Sequence, residues 1–198
     1  IKPTIHVICG PTATGKTARA IELAQQIGGE VISADSRQVY RGMDIGTAKV
    51  TTDEMAGIPH HLIDVADPMD EFTVVDFQRL GRQAINKILQ RGNVPIIVGG
   101  TGYYIDALIY NTNLPNVPPN PQLRAELANK NTNELFTLLQ DMDPNRADTI
   151  DPHNPVRLVR AIEIAAALGS VPKTSKESPY EIKWEYLDLP DAELKQKI

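Results

Sequence analysis

The hydrophobic pattern opens on Thr4–Cys9, a short apolar, β-branched run of the kind that fills a buried strand. A glycine-rich stretch follows. Ala20, Leu23, Ala24 and Ile27 then recur at helical spacing until Gly28-Gly29 stops them. Glu30–Ala34 predicts a second strand ending at Asp35-Ser36, and Arg41–Pro68, rich in Gly, Asp, His and Pro, predicts mostly irregular chain. Thr73 and Asp76 are spaced as a capping box for a long helix. Phe77, Leu80, Ala84 and Ile88 line one face of that helix, and Gly92 ends it. Val94–Val98 is a third buried strand, leading through Gly99-Gly100-Thr101-Gly102 into a helix near Tyr103–Ile109.

Three strand–helix repeats predict an α/β fold with a parallel sheet flanked by helices. In such a sheet the ligand sits at the carboxyl ends of the strands, where Gly10–Thr17, Asp35–Gln38 and Gly99–Gly102 all fall. Leu114–Pro121 is a stiff, proline-rich connector. Beyond it the chain turns polar and helical through Met142, which predicts a small helical insert over residues 115–144 between a core of 1–114 and a return to the core over 145–198. Asn154-Pro155 starts a further helix that runs to Leu168 and stops at Gly169. Ile182–Leu189 reads as a strand, with Ile182, Trp184 and Tyr186 alternating. Pro190–Ile198 reads as the start of a helix with no cap after it, so the sequence is expected to be a fragment or a truncated form.

Composition narrows the class. The 198 residues are 41% hydrophobic and 23% charged, a globular balance, and the net charge of −5 provides no global cationic field for nucleic acid, although a local basic face is compatible with it. The single cysteine, Cys9, rules out an internal disulfide and a cysteine-based zinc site, and fits a reducing cytoplasm. There is no signal-peptide core and no apolar run long enough to span a membrane.

The strongest chemical signal is Gly10-Pro11-Thr12-Ala13-Thr14-Gly15-Lys16-Thr17, a complete G-x-x-x-x-G-K-[ST] P-loop between a strand and a helix. Its backbone N–H groups and the helix N-terminus attract phosphate oxygens, Lys16 adds a full positive charge, and Thr17 offers a hydroxyl to Mg²⁺. The expected fold is therefore P-loop NTPase-like. The motif leaves the reaction open. An acid ending a later strand usually completes such sites, yet Val94–Val98 runs into Gly-Gly-Thr. The nearest strand-end acid is Asp35, which is either a base toward an acceptor or a turn aspartate. His60-His61 is a poor metal pair, because adjacent strand residues point to opposite sides and no third ligand is suitably spaced.

Four further blocks carry a resemblance: Asp35–Lys49 (DSRQVYRGMDIGTAK), Gly57–Asp64 (GIPHHLID), Val98–Tyr104 (VGGTGYY) and Arg157–Glu163 (RLVRAIE). With the P-loop, in this order, the chain resembles the tRNA dimethylallyltransferase (tRNA isopentenyltransferase) family over nearly its whole length. The resemblance implies transfer of a dimethylallyl group from dimethylallyl diphosphate to N6 of adenosine 37, beside the tRNA anticodon. It makes Gly10–Thr17 a cradle for the diphosphate leaving group, with Lys16 stabilising its charge and Mg²⁺ bridging it to Thr17. It makes Asp35 the general base and sets Thr101 close to the adenine. Ser36, Arg37 and Gln38 would hold the extruded base. Arg124 and the segment Val156, Arg157, Leu158, Val159 and Arg160 would contact the anticodon stem-loop, with valine at 156 where the family usually carries a polar residue. A cytoplasmic monomer is expected. Two other readings remain: a small-molecule kinase using ATP at the same loop, and an inactive RNA-binding remnant. From the residues alone, Arg157 and Arg160 beside Glu163 also read as a solvated helix face.

Overall fold

The computed structural model describes residues 2–110, 112, 114–173 and 177–197. The chain divides into two compact units, Ile1–Thr112 with Ser175–Ile198, and Asn113–Thr174.

The first unit is built on a five-stranded, all-parallel sheet of β1 (Thr4–Cys9), β2 (Gly29–Ser33), β3 (His60–His61), β4 (Val94–Gly99) and β5 (Glu181–Tyr186), in the order β3-β2-β4-β1-β5. Its helices are α1 (Lys16–Ile27), α2 (Val74–Gln90) and α3 (Gly102–Ile109), with α8 (Asp191–Lys197) near the end. The register sets Val31 level with Ile96, Ile96 with His6, and Val31 with His60. One face of the sheet packs with Ala20, Leu23 and Ala24 of α1. Residues of the other face, Ile5, Val7, Ile32 and Ile97, join Phe77, Ile85, Ile105 and Leu108 from α2 and α3. The alternation of inward residues on β1 and β2 thus feeds two cores, one on each side.

Local signals end these elements as the sequence predicts. Gly28 caps α1 at φ 66, and Thr73 with Asp76 forms the capping box of α2. The stretch Arg41–Pro68 is irregular but pinned. Lys49, its side chain 5% exposed, donates to Tyr40 O, Asp44 Oδ1 and Asp64 Oδ1 at 2.6–2.7 Å. One short strand within it, β3, pairs with β2.

The second unit is helical: α4 (Pro121–Leu127), α5 (Thr132–Met142), α6 (Pro144–Ala147) and α7 (Pro155–Leu168). Leu127, Leu135, Leu139, Leu158 and Ile162 form its core. The expected return to the α/β core at residue 145 differs from this grouping. Leu158, Ala161 and Ile162 make an apolar stripe on α7, and that stripe is buried with α4–α6.

Candidate active site

The P-loop turns at Gly10, where φ is 148 and an added Cβ would lie 2.0 Å from Leu187 O. Any side chain there would collide with the backbone leaving β5, so this position demands glycine. The loop continues through Ala13 at φ 65 and Gly15 at φ 84 into α1. Thr14 Oγ1 donates to Pro11 O at 2.9 Å, and Lys16 Nζ donates to the same oxygen. Burial pushes the Lys16 ammonium below its ordinary value, against the opposing pull of Asp35 and Cys9. The ammonium therefore sits in a partly desolvated place with a carboxylate near by.

The loop and that carboxylate share a cavity of about 280 Å³. Its lining includes Thr12, Ala13, Gly15, Lys16 and Thr17 from the P-loop, Asp35 and Gln38 after β2, and Gly99 and Gly100 after β4. The three loops expected at the carboxyl edge of the sheet thus meet. Gly99 allows their approach, since a Cβ there would lie 2.2 Å from Ala34 O. Asp35 Oδ1 accepts the backbone N–H groups of Arg37 (2.8 Å) and Gln38 (3.3 Å), so the residue is a turn aspartate and a cavity carboxylate at once. Gln38 Oε1 accepts from Ser33 Oγ, while its amide donates to Thr47 O and Ala48 O. It latches the pinned loop against the cavity, and Thr47, Ala48 and Val50 become wall. Sequence reasoning left these wall residues inside an irregular stretch.

The other proposed positions are dispersed. Thr101 is half-buried at the N-terminus of α3, its side chain making no cap bond, and it does not line this cavity. Ser36 is half-buried and Arg37 exposed. Tyr103 is exposed, whereas Tyr104 stacks on Phe77 with ring centroids 4.4 Å apart. The two histidines diverge as strand neighbours do: His61 Nε2 meets Glu30 Oε2 at 2.7 Å, and His60 lines the cavity. Among the described residues no group of three or more His, Cys, Asp or Glu is arranged to hold a metal ion.

In the helical unit, two of the three arginines expected at RNA, Arg124 and Arg160, are engaged with a carboxylate. Glu163, 2% exposed, accepts from Arg124 Nε (2.7 Å) and NH2 (3.0 Å), from Arg160 NH1 (3.2 Å) and from the backbone of Asn120 (2.8 Å). Arg160 NH2 also donates to Val117 O at 2.7 Å. Leu158 is fully buried, and the half-buried Val159 packs against the same core. Val156 and Arg157 are exposed.

Comparison with known proteins decides the family. The family model described as IPP transferase matches residues 38–198. The chain belongs to the IPP transferase family. It is 45% identical to a tRNA dimethylallyltransferase of Thermomicrobium roseum over 204 residues, covering 100% of this chain and 62% of that protein. It is 48% identical to one of Exiguobacterium sibiricum, covering 97% and 63%. Among solved structures it is similar to the tRNA delta(2)-isopentenylpyrophosphate transferase of Staphylococcus epidermidis, with 39% identity, TM-score 0.65, and coverage of 99% of this chain and 67% of that one. It is also similar to a eukaryotic dimethylallyltransferase acting on tRNA, with 29% identity, TM-score 0.78, and coverage of 98% and 50%. The chain spans about six-tenths of the length of the curated relatives it matches. This IPP transferase chain has the P-loop NTPase-like fold of those neighbours. No helix among its described residues is long and apolar enough to cross a membrane.

Proposed function

We propose that this chain carries the catalytic core for transfer of a dimethylallyl group from dimethylallyl diphosphate to N6 of adenosine 37 in the anticodon stem-loop of tRNA. One observation carries the reading: in an IPP transferase chain, the P-loop and Asp35 open onto the same cavity. A diphosphate oxygen is a charged acceptor and competes with Pro11 O for the Lys16 ammonium. The amides of Gly10–Thr17 and the N-terminus of α1 add to that attraction. The Thr17 hydroxyl is a hard oxygen donor on the cavity, of the kind that suits Mg²⁺ beside diphosphate oxygens. Thr17, with the diphosphate, would hold the ion, which supplies charge neutralisation on the leaving group.

The reaction forms a bond between N6 and the allylic carbon. It breaks the bond from that carbon to the diphosphate oxygen, and the diphosphate leaves with the electron pair. Asp35 takes the N6 proton. Ser36, Arg37, Gln38 and Thr101 surround the extruded base, and residues 113–174 serve as the insert that meets RNA, through Val156 and Arg157 most directly. The protein acts as a cytoplasmic monomer.

Single-turnover prenylation of an anticodon stem-loop, with dimethylallyl diphosphate and Mg²⁺, tests this. Asp35→Asn keeps a side-chain oxygen for the bonds from Arg37 and Gln38, so the turn persists while the base is lost. The expected result is a drop in rate of about 10²–10⁴-fold with diphosphate affinity unchanged. An unchanged rate would remove Asp35 from the mechanism. Phosphoryl transfer from ATP to a small alcohol by the same chain would replace the proposal with a kinase.

A further inference from the structure

Two side-chain donors converge on one carbonyl in the P-loop. Pro11 O accepts the Thr14 hydroxyl at 2.9 Å, and it accepts the Lys16 ammonium as well. The bond from Thr14 closes a turn over Thr12 and Ala13, and within that turn Ala13 stands at φ 65. Left-handed backbone is unfavourable for an L residue and persists only where its surroundings impose it. Here both bonds to Pro11 O span Ala13 and hold the loop closed around it.

The two donors differ in their place on the loop. Thr12, Ala13, Gly15, Lys16 and Thr17 line the cavity, and Thr14 does not. Lys16 therefore meets a ligand in the cavity, while the Thr14 hydroxyl serves the loop's own backbone. A diphosphate draws the ammonium from Pro11 O, because a charged acceptor outcompetes a neutral carbonyl. From then on Pro11 O keeps one of its two side-chain donors, and that bond alone restrains Ala13. The timing matters. Successive N–H groups converge on an anion only where left-handed residues turn them, so the shape of the loop at Ala13 and at Gly15, φ 84, is the anion site itself.

We propose that Thr14 is a positioning residue that retains the Pro11 carbonyl when Lys16 leaves it for the diphosphate, and so keeps the loop amides aimed at the leaving group. This rests on the reading of Gly10–Thr17 as a diphosphate cradle. In the empty loop Thr14 and Lys16 hold the turn together. In the loaded loop Thr14 holds it alone. Loss of the hydroxyl is therefore felt mainly in the loaded state, as weaker binding rather than as lower stability of the empty chain.

The test is calorimetric titration of the whole chain with inorganic diphosphate in Mg²⁺, beside denaturant unfolding of the empty chain. Thr14→Val keeps the branched shape and removes the O–H. It should weaken diphosphate binding about fivefold, the worth of one hydrogen bond, and lower the stability of the empty chain by less. Thr14→Ser keeps the O–H and should bind as wild type does. Adding Ala13→Gly to Thr14→Val makes the left-handed position permissive and should recover affinity. Unchanged affinity in Thr14→Val would overturn the proposal, and so would a Thr14→Ser that binds as weakly as Thr14→Val. Failure of Ala13→Gly to recover affinity would assign the hydroxyl to the phosphate itself and overturn it too. If wild type does not bind diphosphate, the cradle reading fails, and the role of Thr14 with it. Thr14→Ala, which also lacks the O–H, decides in place of a Thr14→Val that does not fold.

Discussion

Each of the two units buries one glutamate and clasps it with arginine, and the two clasps differ in what they hold together. Glu30, 2% exposed, accepts from Arg91 Nε and NH2 at 2.9 and 2.7 Å, from Asn93 at 2.8 Å, and meets His61 at 2.7 Å. It ties β2 to β3 and to the turn between α2 and β4, at the end of the sheet away from the P-loop. Glu163 holds the proline-rich segment and α4 to α7 by way of Asn120, Arg124 and Arg160. The first clasp joins Glu30, Arg91 and Asn93, which sequence reasoning left without a role, to His61. The second takes up two arginines that resemblance assigns to RNA. An arginine can therefore match an RNA-contact position and still be engaged in folding its own unit. Its outward N–H groups then act only as far as the clasp permits.

The largest effect expected from this comparison is in acid. Burial alone would raise the Glu30 carboxyl. The hydrogen bonds from Arg91, Asn93 and His61 outweigh burial and hold it at about 2. A carboxylate depressed in the folded state contributes stability that is present above its ordinary value near 4.5. That contribution is lost as pH falls through the window from 4.5 to about 2. Glu30→Gln should lower stability at pH 7 and flatten the loss across that window, as read by denaturant unfolding at a series of pH values. Parallel acid limbs for wild type and variant would show that the clasp contributes nothing. Glu163 is shifted in the same direction, with burial opposed by Arg124, Asn120 and Arg160, and its Gln variant should act likewise.

A smaller effect distinguishes the arginines themselves. Arg124→Ala and Arg160→Ala each leave Glu163 with one donor residue fewer, in a side chain that solvent does not reach. Each should cost about 1–3 kcal/mol in unfolding free energy. Their double variant should fall short of additivity, because both act on one carboxylate. Loss of stem-loop affinity without loss of stability in either variant would return that residue to the RNA side alone.

What the sequence disclosed follows the range of the forces. The P-loop, the Thr73–Asp76 box, the Gly28 and Gly169 stops and the apolar strands are local patterns, and each appears where periodicity and capping put it. The convergence of Gly10–Thr17, Asp35 and Gly99–Gly100 was also legible, because a parallel sheet brings all its carboxyl ends to one edge. Glu163 and Arg124 are 39 residues apart, and no spacing rule links them. Nor does any local signal show that β3, two residues long, would be fixed by pairing with β2 and so direct His60 into the cavity. The grouping of α7 with α4–α6 turns on where its apolar stripe finds a partner, which a helical pattern alone leaves open.

The smallest change in stability is expected at Arg157, and it is the sharpest test of the distinction between clasp and contact. The residue is exposed near the N-terminus of α7, and its side chain has no hydrogen bond or ion pair among the described residues. Removing it leaves no buried charge unpaired, so Arg157→Ala should change unfolding free energy by no more than about 0.5 kcal/mol. If it meets a phosphate of the stem-loop, the same change should weaken binding. It should also reduce the slope of log affinity against log salt by about 0.7–0.9, the share of one phosphate contact. Arg124→Ala, by contrast, should move stability first and affinity only through the unit it destabilises. A loss of affinity at Arg157 with an unchanged salt slope would mean that it reads the RNA other than through phosphate. No loss at all would leave the exposed start of α7 outside the RNA contact.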